Sequence, residues 1–249
     1  GLSLGLACSV KWSGLYFLAV FGVMTVLWDW TARRQAGDPR WFSRGLYLDA
    51  IPAFFAMVGT SVVVYVASWA GWFASSNGYY RTWAAQHGHA DANPVTQALL
   101  SLWKYHQEAY KFHVTLESEH TYSANPLLWL PQLRPTNFYY RSYAYGEAGC
   151  TVEKCSAAIN SLGNPLLWWL GCLALAITLV VGLVWRDGRA LAILSGIVAG
   201  YVPWLMYMNR TIFQFYSIVF EPWMIMAVVF CCGLALGGRT ASKARRYYA

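Results

Sequence analysis

The sequence predicts an all-α integral membrane protein with about five transmembrane helices and a long outward loop that carries an interfacial amphipathic helix. Three observations support this fold class. Hydrophobic residues make up 57% of the chain and charged residues only 12%, which is about half the charged fraction of an average soluble domain. The chain contains 14 Trp and 17 Tyr, and these residues collect where hydrocarbon meets water. Several apolar stretches also approach or exceed the roughly 20 residues that a membrane span needs.

Five apolar stretches are the predicted spans. In chain order they cover residues 12–28, 51–73, 165–185, 189–208 and 213–237. Pro203 is expected to kink the fourth span, and the fifth is retained despite Glu221. The sequence opens at Gly1 inside an apolar run, so we expect it to lack an N-terminal portion of a longer protein.

The positions of Lys and Arg predict the orientation, because basic residues near span ends mark the cytoplasmic side. Such residues occur in the first connection, in the turn with Arg186 and Arg189, and in the tail. With five spans, all three lie on one side, and the long loop faces outward with equal numbers of basic and acidic residues. The net charge of +7 therefore indicates cytoplasmic loops, and no nucleic-acid partner is expected. The predicted organisation is two spans in 1–73, an extracytoplasmic loop in 74–164, three spans in 165–237 and a basic cytoplasmic tail in 238–249.

The outward loop contains a predicted amphipathic helix over residues 93–116. One face of this helix is apolar and consists of Val95, Ala98, Leu99, Leu102, Tyr105, Ala109, Phe112 and Leu116. The opposite face is polar and consists of Ser101, Lys104, Gln107, Glu108 and Lys111. Such a helix either lies on the membrane surface or packs against the rest of the protein, and the pattern is compatible with both.

The cysteines fall into two groups. Cys150 and Cys155 lie in the outward loop, where an oxidising compartment favours a disulfide. A zinc site is the alternative, but it would need further ligands, so we favour the disulfide and predict no metal. The remaining cysteines lie in apolar runs and are expected to be packing residues; they are Cys8, Cys172, Cys231 and Cys232.

Ionisable residues inside spans are costly and often functional. Glu221 is predicted about two turns inside the last span. It is either a polar anchor near a lipid-headgroup or sugar cavity, or a hydrogen-bonding group between helices. Asp29 and Asp49 lie near cytoplasmic span ends and are expected to cap helices or to reach the interface.

Arg210 lies in the short predicted outward turn Asn209–Ile212. A lone arginine there runs against the usual cytoplasmic bias of basic residues. Its guanidinium could hold a lipid phosphate through paired, charge-assisted hydrogen bonds, or it could contact ordinary lipid headgroups. Both interpretations stay open.

Common soluble active-site motifs are missing from the sequence. There is no H-E-x-x-H pair, Cys-x-x-Cys motif or Gly-rich phosphate loop. All histidines except His120 are expected to be simple surface residues; they are His87, His89, His106 and His113. Several spans, an aromatic outward loop and a cationic outer turn suit an enzyme that takes a group from a lipid phosphate, but also a transporter or an assembly subunit.

Four separated stretches together resemble the protein O-mannosyltransferase family, in particular its bacterial, actinobacterial-type members. In chain order these stretches are SVKWSGLY (9–16), HTYSANPLLWLPQLRP (120–135), GNPLLWW (163–169) and NRTIFQFYSIVFEP (209–222). The intervening CTVEKCSAAINSLGNP fits the same branch. The outward loop is too short for the β-trefoil repeats that eukaryotic members insert, which favours the bacterial form.

The resemblance implies the C-terminal part of a GT-C membrane glycosyltransferase in the bacterial plasma membrane, with its active site outward. The implied reaction is an inverting transfer of mannose from polyprenyl-phosphate-mannose to Ser or Thr of exported proteins, with no bound cofactor. Partners would be the lipid-linked donor, Ser/Thr-rich acceptors, membrane lipids and the secretion translocon. The alternatives are a GT-C enzyme with a lipid or glycan acceptor, or a non-catalytic transporter or assembly subunit.

The resemblance also implies roles for individual residues. Arg210, with Arg134 as the second candidate, would bind the donor phosphate. The sugar or acceptor side would be lined by His120, Tyr122, Trp129 and Asn164. The acidic pair that carries catalysis in the family lies upstream of the matching region, so no catalytic residue is expected in this chain, which would be inactive alone.

Overall fold

The predicted helical membrane architecture is confirmed. The computed structural model describes residues 1–237, and most of them are helical. The predicted tail, 238–249, lies outside the described residues. The chain divides into two compact units, the first covering Gly1–Leu116 and the second beginning at Glu117.

The first unit consists of six helices. They are α1 (Leu2–Val10), α2 (Gly14–Gln35), α3 (Trp41–Ser68), α4 (Ala70–Ala74), α5 (Trp83–Gln86) and α6 (Pro94–Thr115). Two π-helical stretches, Gly45–Ala50 and Phe55–Gly59, interrupt α3. Helix α1 packs against the C-terminal part of α3. Gly5 permits this close approach, because a Cβ there would lie 2.8 Å from Cβ of Val64.

The second predicted span begins earlier than expected. Helix α3 starts at Trp41 and not near residue 51, so the connection from α2 is only residues 36–40 and Asp49 lies within the helix. Asp49 does not act as a cap, because Arg33 donates to it, with 2.9 Å between Nη2 and Oδ1. Asp38 in the connection accepts a hydrogen bond from the backbone N–H of Arg40 at 3.0 Å. That bond, together with the nearby guanidinium of Arg44, lowers the pKa of Asp38.

Over residues 117–237, the second unit contains a hairpin, three helices and short 3₁₀ turns. Its regular elements are β1 (Asn137–Ala144), β2 (Lys154–Asn160), α7 (Pro165–Val184), α8 (Gly188–Gly200) and α9 (Glu221–Leu236). Its 3₁₀ turns are Pro126–Leu128, Glu147–Gly149, Val202–Met206 and Gln214–Val219. The buried core of this unit consists of Ala124, Trp129, Trp168, Tyr201, Trp204, Ile212, Phe220 and Met224.

Among residues 1–237, four helices are long and apolar enough to cross a membrane, where five spans were predicted: Gly14–Gln35, Trp41–Ser68, Pro165–Val184 and Gly188–Met206. The fifth predicted span, 213–237, contains the shorter helix α9, whose 16 residues reach about 24 Å against about 30 Å of hydrocarbon. Glu221 is the first residue of α9, so its predicted position two turns inside a span is wrong. A carboxylate is favourable at that end of a helix because of the helix dipole.

The β-hairpin is a feature that the sequence analysis did not predict. Strands β1 and β2 pair antiparallel, with Tyr143 opposite Cys155. Cys150 and Cys155 form a disulfide whose Cα atoms are 5.8 Å apart, and it closes the hairpin turn. The aromatic-rich stretch NFYYRSYA has high β-propensity, and this signal could have revealed β1.

Helix α6 begins and ends close to its predicted bounds. Its start is fixed by the Asn93 side chain, which caps the first turn by accepting from the N–H of Thr96 at 2.9 Å. Its buried side differs from the predicted apolar face. Ser101, assigned to the polar face, is fully buried, because its hydroxyl accepts from the N–H of Ala84 at 3.0 Å. Val95 and Phe112, assigned to the apolar face, are 68% and 59% exposed.

His106 on α6 is not a simple surface residue, contrary to the prediction. Its Nδ1 bonds to the carbonyl oxygen of Leu102 at 2.7 Å, and its Nε2 lies 2.7 Å from the hydroxyl of Tyr65. The indole N–H of Trp12 donates to the same hydroxyl at 2.9 Å, and the Trp12 ring stacks on the imidazole with 5.5 Å between centroids. We call Trp12, Tyr65, Leu102 and His106 the histidine lock. It joins α6 to α3 within the first unit, so α6 packs against its own unit along this side.

Candidate functional site

A polar cavity lies in the second unit, between the segment that follows α6 and the connection from α8 to α9. Its volume is about 640 Å³. The residues lining it are Glu117, Ser118, Glu119, His120, Thr121, Ser123, Asn209 and Thr211. Two of the stretches singled out in the sequence, HTYSANP and NRTI, therefore meet at one cavity.

Hydrogen bonds hold the two walls of the cavity together. The Thr211 hydroxyl donates to the carbonyl oxygen of Ser118. The N–H of Ala124 donates to the carbonyl oxygen of Ile212 at 2.8 Å, and the Ser123 hydroxyl reaches the same oxygen at 3.4 Å. These bonds connect residues about 90 positions apart in the sequence, which fixes the position of the cavity in the fold.

The proline-stiffened part of the outward segment supports the cavity wall from beneath. The Asn125 side chain accepts from the N–H of Leu127 at 3.0 Å, which forms a tight turn at Pro126. The Tyr201 hydroxyl then donates to the carbonyl oxygen of Pro126 at 3.2 Å. This turn aims Trp129 into the core.

Trp129 does not line an open site, which corrects the predicted sugar-lining role. Its side chain is 0% exposed. The indole N–H donates to the carbonyl oxygen of Ala124 at 2.9 Å, and the ring packs against Trp204 with 5.7 Å between centroids. A ring enclosed in this way cannot stack on a sugar, so Trp129 acts by holding the wall.

His120 lies at the cavity, as the sequence led us to expect. Its side chain is exposed, and its Nδ1 accepts from the N–H of Tyr122 at 3.1 Å. In a neutral imidazole this bond leaves the proton on Nε2, which can donate to a ligand. The edge of the ring contacts Phe213 with 4.9 Å between centroids. Tyr122 is half-buried beside it and does not line the cavity itself.

Both candidate arginines lie next to this cavity. Arg134 is exposed, and its Nη2 donates to the carbonyl oxygen of Thr121, a wall residue, at 2.7 Å. Arg210 is half-buried and stands between Asn209 and Thr211, which both line the cavity. The connection that carries Arg210 is longer than the predicted short turn, since the α-helix ends at Gly200 and the next begins at Glu221.

Asn164 and Glu221 do not join the cavity. The Asn164 side chain caps α7 by accepting from the N–H of Leu167 at 3.2 Å, and it is not among the residues that line the cavity. Glu221 opens α9 and is not among the lining residues.

Glu117 and Glu119 are cavity residues that the sequence analysis missed. They stand directly before HTYSANP, and this acidic pair beside the histidine was the signal that could have identified them. Carboxylates accept hydrogen bonds from hydroxyl groups, whereas guanidinium groups bind phosphate. Carboxylates thus line the cavity, and guanidinium groups belong to residues that contact or adjoin its wall. Among residues 1–237, no group of three or more His, Cys, Asp or Glu is arranged to hold a metal ion.

Comparison with known families gives a match over residues 98–231 to the family model described as the C-terminal four TMM region of protein-O-mannosyltransferase. The matched range contains α7, α8, the hairpin and all the cavity residues. No solved structure matches the chain.

Three actinobacterial relatives, each named polyprenol-phosphate-mannose–protein mannosyltransferase, illustrate the similarity. The proteins from Mycolicibacterium smegmatis and Mycobacterium tuberculosis are 35% and 34% identical over 238 residues. The protein from Corynebacterium glutamicum is 30% identical over 250 residues. Each alignment covers 94% of this chain but only 45–46% of the relative, so the chain spans a little under half the length of these relatives.

Proposed function

Since the chain belongs to the protein-O-mannosyltransferase family, we propose that it forms the C-terminal part of an enzyme that transfers mannose from polyprenyl-phosphate-mannose to Ser or Thr hydroxyls of exported proteins. The observation that carries the proposal is the polar cavity, which has two carboxylates in its lining and two arginines beside it. The names of the relatives supply the donor and the protein acceptor. The site would face outward from the plasma membrane, with Ser/Thr-rich chains arriving from the secretion translocon and membrane lipids around the spans.

The proposed chemistry is an inverting displacement. An acidic residue outside this chain deprotonates the acceptor hydroxyl, the oxygen attacks the anomeric carbon of mannose, and the bond to the lipid phosphate breaks. The electron pair of that bond leaves with the phosphate, whose negative charge increases. Fixed positive charge at this point lowers the barrier, because it binds the transition state more strongly than the ground state.

In this mechanism Arg210 binds the phosphate, and Arg134 supports it from the opposite wall. A guanidinium suits phosphate because its planar fork donates two parallel hydrogen bonds. His120 donates from Nε2 to an oxygen of the bound donor, and Glu119 accepts from a sugar hydroxyl. No cofactor has a role in this mechanism.

The test uses a full-length enzyme in which this chain is joined to the N-terminal half of the Mycolicibacterium smegmatis relative. Transfer of labelled mannose from the lipid donor to a Ser/Thr-rich peptide is measured. Arg210→Ala should lower kcat/KM at least tenfold, about 1.4 kcal/mol, and Arg210→Lys should recover part of the loss. An exposed ion pair would contribute under about 1 kcal/mol, so a tenfold loss indicates more than a headgroup contact.

Arg186→Ala is the matched control, because Arg186 is an exposed arginine in the connection between α7 and α8 and away from the cavity. It should transfer mannose at the wild-type rate. Wild-type activity in a well-folded Arg210→Ala protein would remove Arg210 from the site. Transfer to a lipid or glycan acceptor but not to the peptide would replace the proposed acceptor class.

A further inference from the structure

A buried cluster of neutral polar side chains lies at the base of the hairpin. Gln132, Thr136 and Gln214 are only 7%, 5% and 2% exposed, and Ser161 is half-buried among them. We call these four residues the polar nest. Buried polar groups normally have hydrogen-bonding partners, so a polar atom of the nest that has no partner requires an explanation.

Two residues of the nest, Ser161 and Gln214, have hydrogen-bonding partners within it. The N–H of Thr136 donates to the Ser161 hydroxyl at 2.9 Å. That hydroxyl in turn donates to Oε1 of Gln214 at 3.3 Å. The N–H of Ser161 donates to the carbonyl oxygen of Thr136 at 2.8 Å. Ser161 and Gln214 are therefore explained by the fold, since they fasten the base of the hairpin.

The buried side chains of the other two residues, Gln132 and Thr136, are not explained by the fold in this way. Within the described part of the chain, neither Nε2 nor Oε1 of Gln132 has a hydrogen-bonding partner, and neither has Oγ1 of Thr136. Leaving such groups buried and unpaired is costly, and an apolar side chain of the same shape would avoid that cost. Gln132 also has a φ of 56°, a left-handed conformation that non-glycine residues seldom adopt.

The backbone near the nest leaves just enough room for the amide. A Cβ at Gly163 would lie 3.2 Å from Nε2 of Gln132, which is too close for comfortable packing. A strained backbone, a glycine opposite the amide and two unpaired polar groups thus occur together. Strain of this kind persists at functional sites because the surrounding structure enforces it.

The nest adjoins the cavity through two chain segments. Arg134, between Gln132 and Thr136, donates to the carbonyl oxygen of the wall residue Thr121 at 2.7 Å. Gln214 follows the wall residue Thr211 by three positions. The unpaired groups of Gln132 and Thr136 are therefore linked through Arg134 to one wall of the proposed active site, and the satisfied Gln214 is close in the chain to the other wall.

We propose that Gln132 and Thr136 form a recognition site for an alcohol hydroxyl of a substrate. An amide offers one donor side and one acceptor side, and a hydroxyl can both accept and donate, so one hydroxyl group can pair with the amide and with Thr136. The groups are neutral, which suits a hydroxyl better than a phosphate or an ammonium group. Because the unpaired atoms are enclosed, entry of the ligand requires the residues around them to move.

This inference rests on the proposed function, which supplies two sources of hydroxyl groups: the mannose of the donor, and the Ser or Thr of the acceptor. Both present the same chemistry to the nest. The experiment separates them by testing each substrate independently.

The test compares Gln132→Met and Thr136→Val with Gln214→Met in the reconstructed full-length enzyme. Without ligand, the first two variants should melt at or above the wild-type Tm, because each removes an unpaired buried polar group. Gln214→Met should melt lower, because it loses the bond from Ser161. With substrates, Gln132→Met and Thr136→Val should raise the KM of either the donor or the peptide at least tenfold, and the affected KM identifies the source of the hydroxyl.

A second readout does not depend on mannose transfer. Methyl α-D-mannopyranoside and a serine-containing peptide are each added to the wild type, and the shift in Tm is measured. One of the two should stabilise the wild type, and that stabilisation should disappear in Gln132→Met and Thr136→Val.

Three results would overturn the nest proposal: no shift in the wild type with either probe, unchanged shifts and KM values in both variants, or a lower Tm in both variants without ligand. If the wild type transfers no mannose but one probe stabilises it through Gln132, the proposed function fails and the hydroxyl site remains.

Discussion

The histidine lock of the first unit and the cavity of the second place the same residue type in opposite situations. In the lock, both ring nitrogens of His106 have protein partners, Leu102 and Tyr65. At the cavity, only Nδ1 of His120 has one, the N–H of Tyr122, among the contacts of the described residues. A histidine whose polar atoms are all used by the fold is structural, whereas one that keeps a donor facing a cavity can serve a ligand. The comparison teaches that the unused hydrogen-bonding atoms, and not the residue type, identify candidate site residues.

The largest effect is expected at Trp129. Its substitution tests whether the cavity wall depends on the hydrophobic core against which it packs. Trp129→Ala should lower the free energy of unfolding by about 3–5 kcal/mol, since it empties a fully buried aromatic position. Trp129→Phe should cost much less, because it keeps an aromatic ring at this position. It loses only the hydrogen bond to Ala124 and part of the ring volume. Thermal melts in detergent measure both. Equal losses from the two variants would mean that the indole N–H, and not the ring volume, holds the wall.

The second prediction tests the structural half of the comparison. His106→Leu should lower the free energy of unfolding by about 1–3 kcal/mol, because it removes hydrogen bonds to Leu102 and Tyr65. Mannose transfer per folded molecule should stay at the wild-type level, measured as kcat/KM after correction for the folded fraction. A stable His106→Leu protein with reduced kcat/KM would remove the distinction between the two histidines.

The third prediction tests the functional half. His120→Leu should lower kcat/KM about tenfold, equivalent to about 1.4 kcal/mol, because it removes the donor at Nε2. Its Tm should change little, since the ring is exposed and makes one local hydrogen bond. His120→Asn retains a donor and should recover part of the activity. Loss of Tm without loss of transfer would place His120 with His106.

The smallest effect is expected at Asp187, another polar side chain whose carboxylate is hydrogen-bonded within the protein. Its carboxylate accepts from the N–H and the guanidinium of Arg189; the guanidinium contact is the main cause of its lowered pKa. Because the folded pKa is depressed, this stabilisation is present above the unfolded pKa of about 3.9 and is lost as pH falls through the folded value. Asp187→Ala should cost about 1 kcal/mol at pH 7 as a lost helix cap.

Asp187→Asn provides the control, because it keeps a capping oxygen but does not titrate. The difference in Tm between the wild type and Asp187→Asn should shrink as the pH is lowered below about 4. A difference that is constant from pH 7 to pH 3 would mean that the charge of Asp187 contributes nothing to stability.

The sequence by itself determined the features that depend on local composition and spacing. Hydrophobic runs identified the membrane helices, the period of the apolar residues located α6 to within one residue at each end, and the four recognisable stretches indicated the family. HTYSANP and NRTI also located most of the cavity wall. These signals are readable because hydrophobicity, capping and helical period act over a few neighbouring residues.

Only the tertiary structure decided which polar and aromatic side chains are enclosed. Ser101 is buried where it accepts from the N–H of Ala84, and His106 is half-buried against Tyr65, which lies 41 residues away in sequence. Trp129 is buried because its turn aims the ring into the core formed with Trp168 and Trp204. The same holds for the nest, where Thr136 meets Ser161 across the base of a hairpin. Such partners are distant in the chain, and the free energy of burying a polar group depends on whether a partner is present, which no local pattern records.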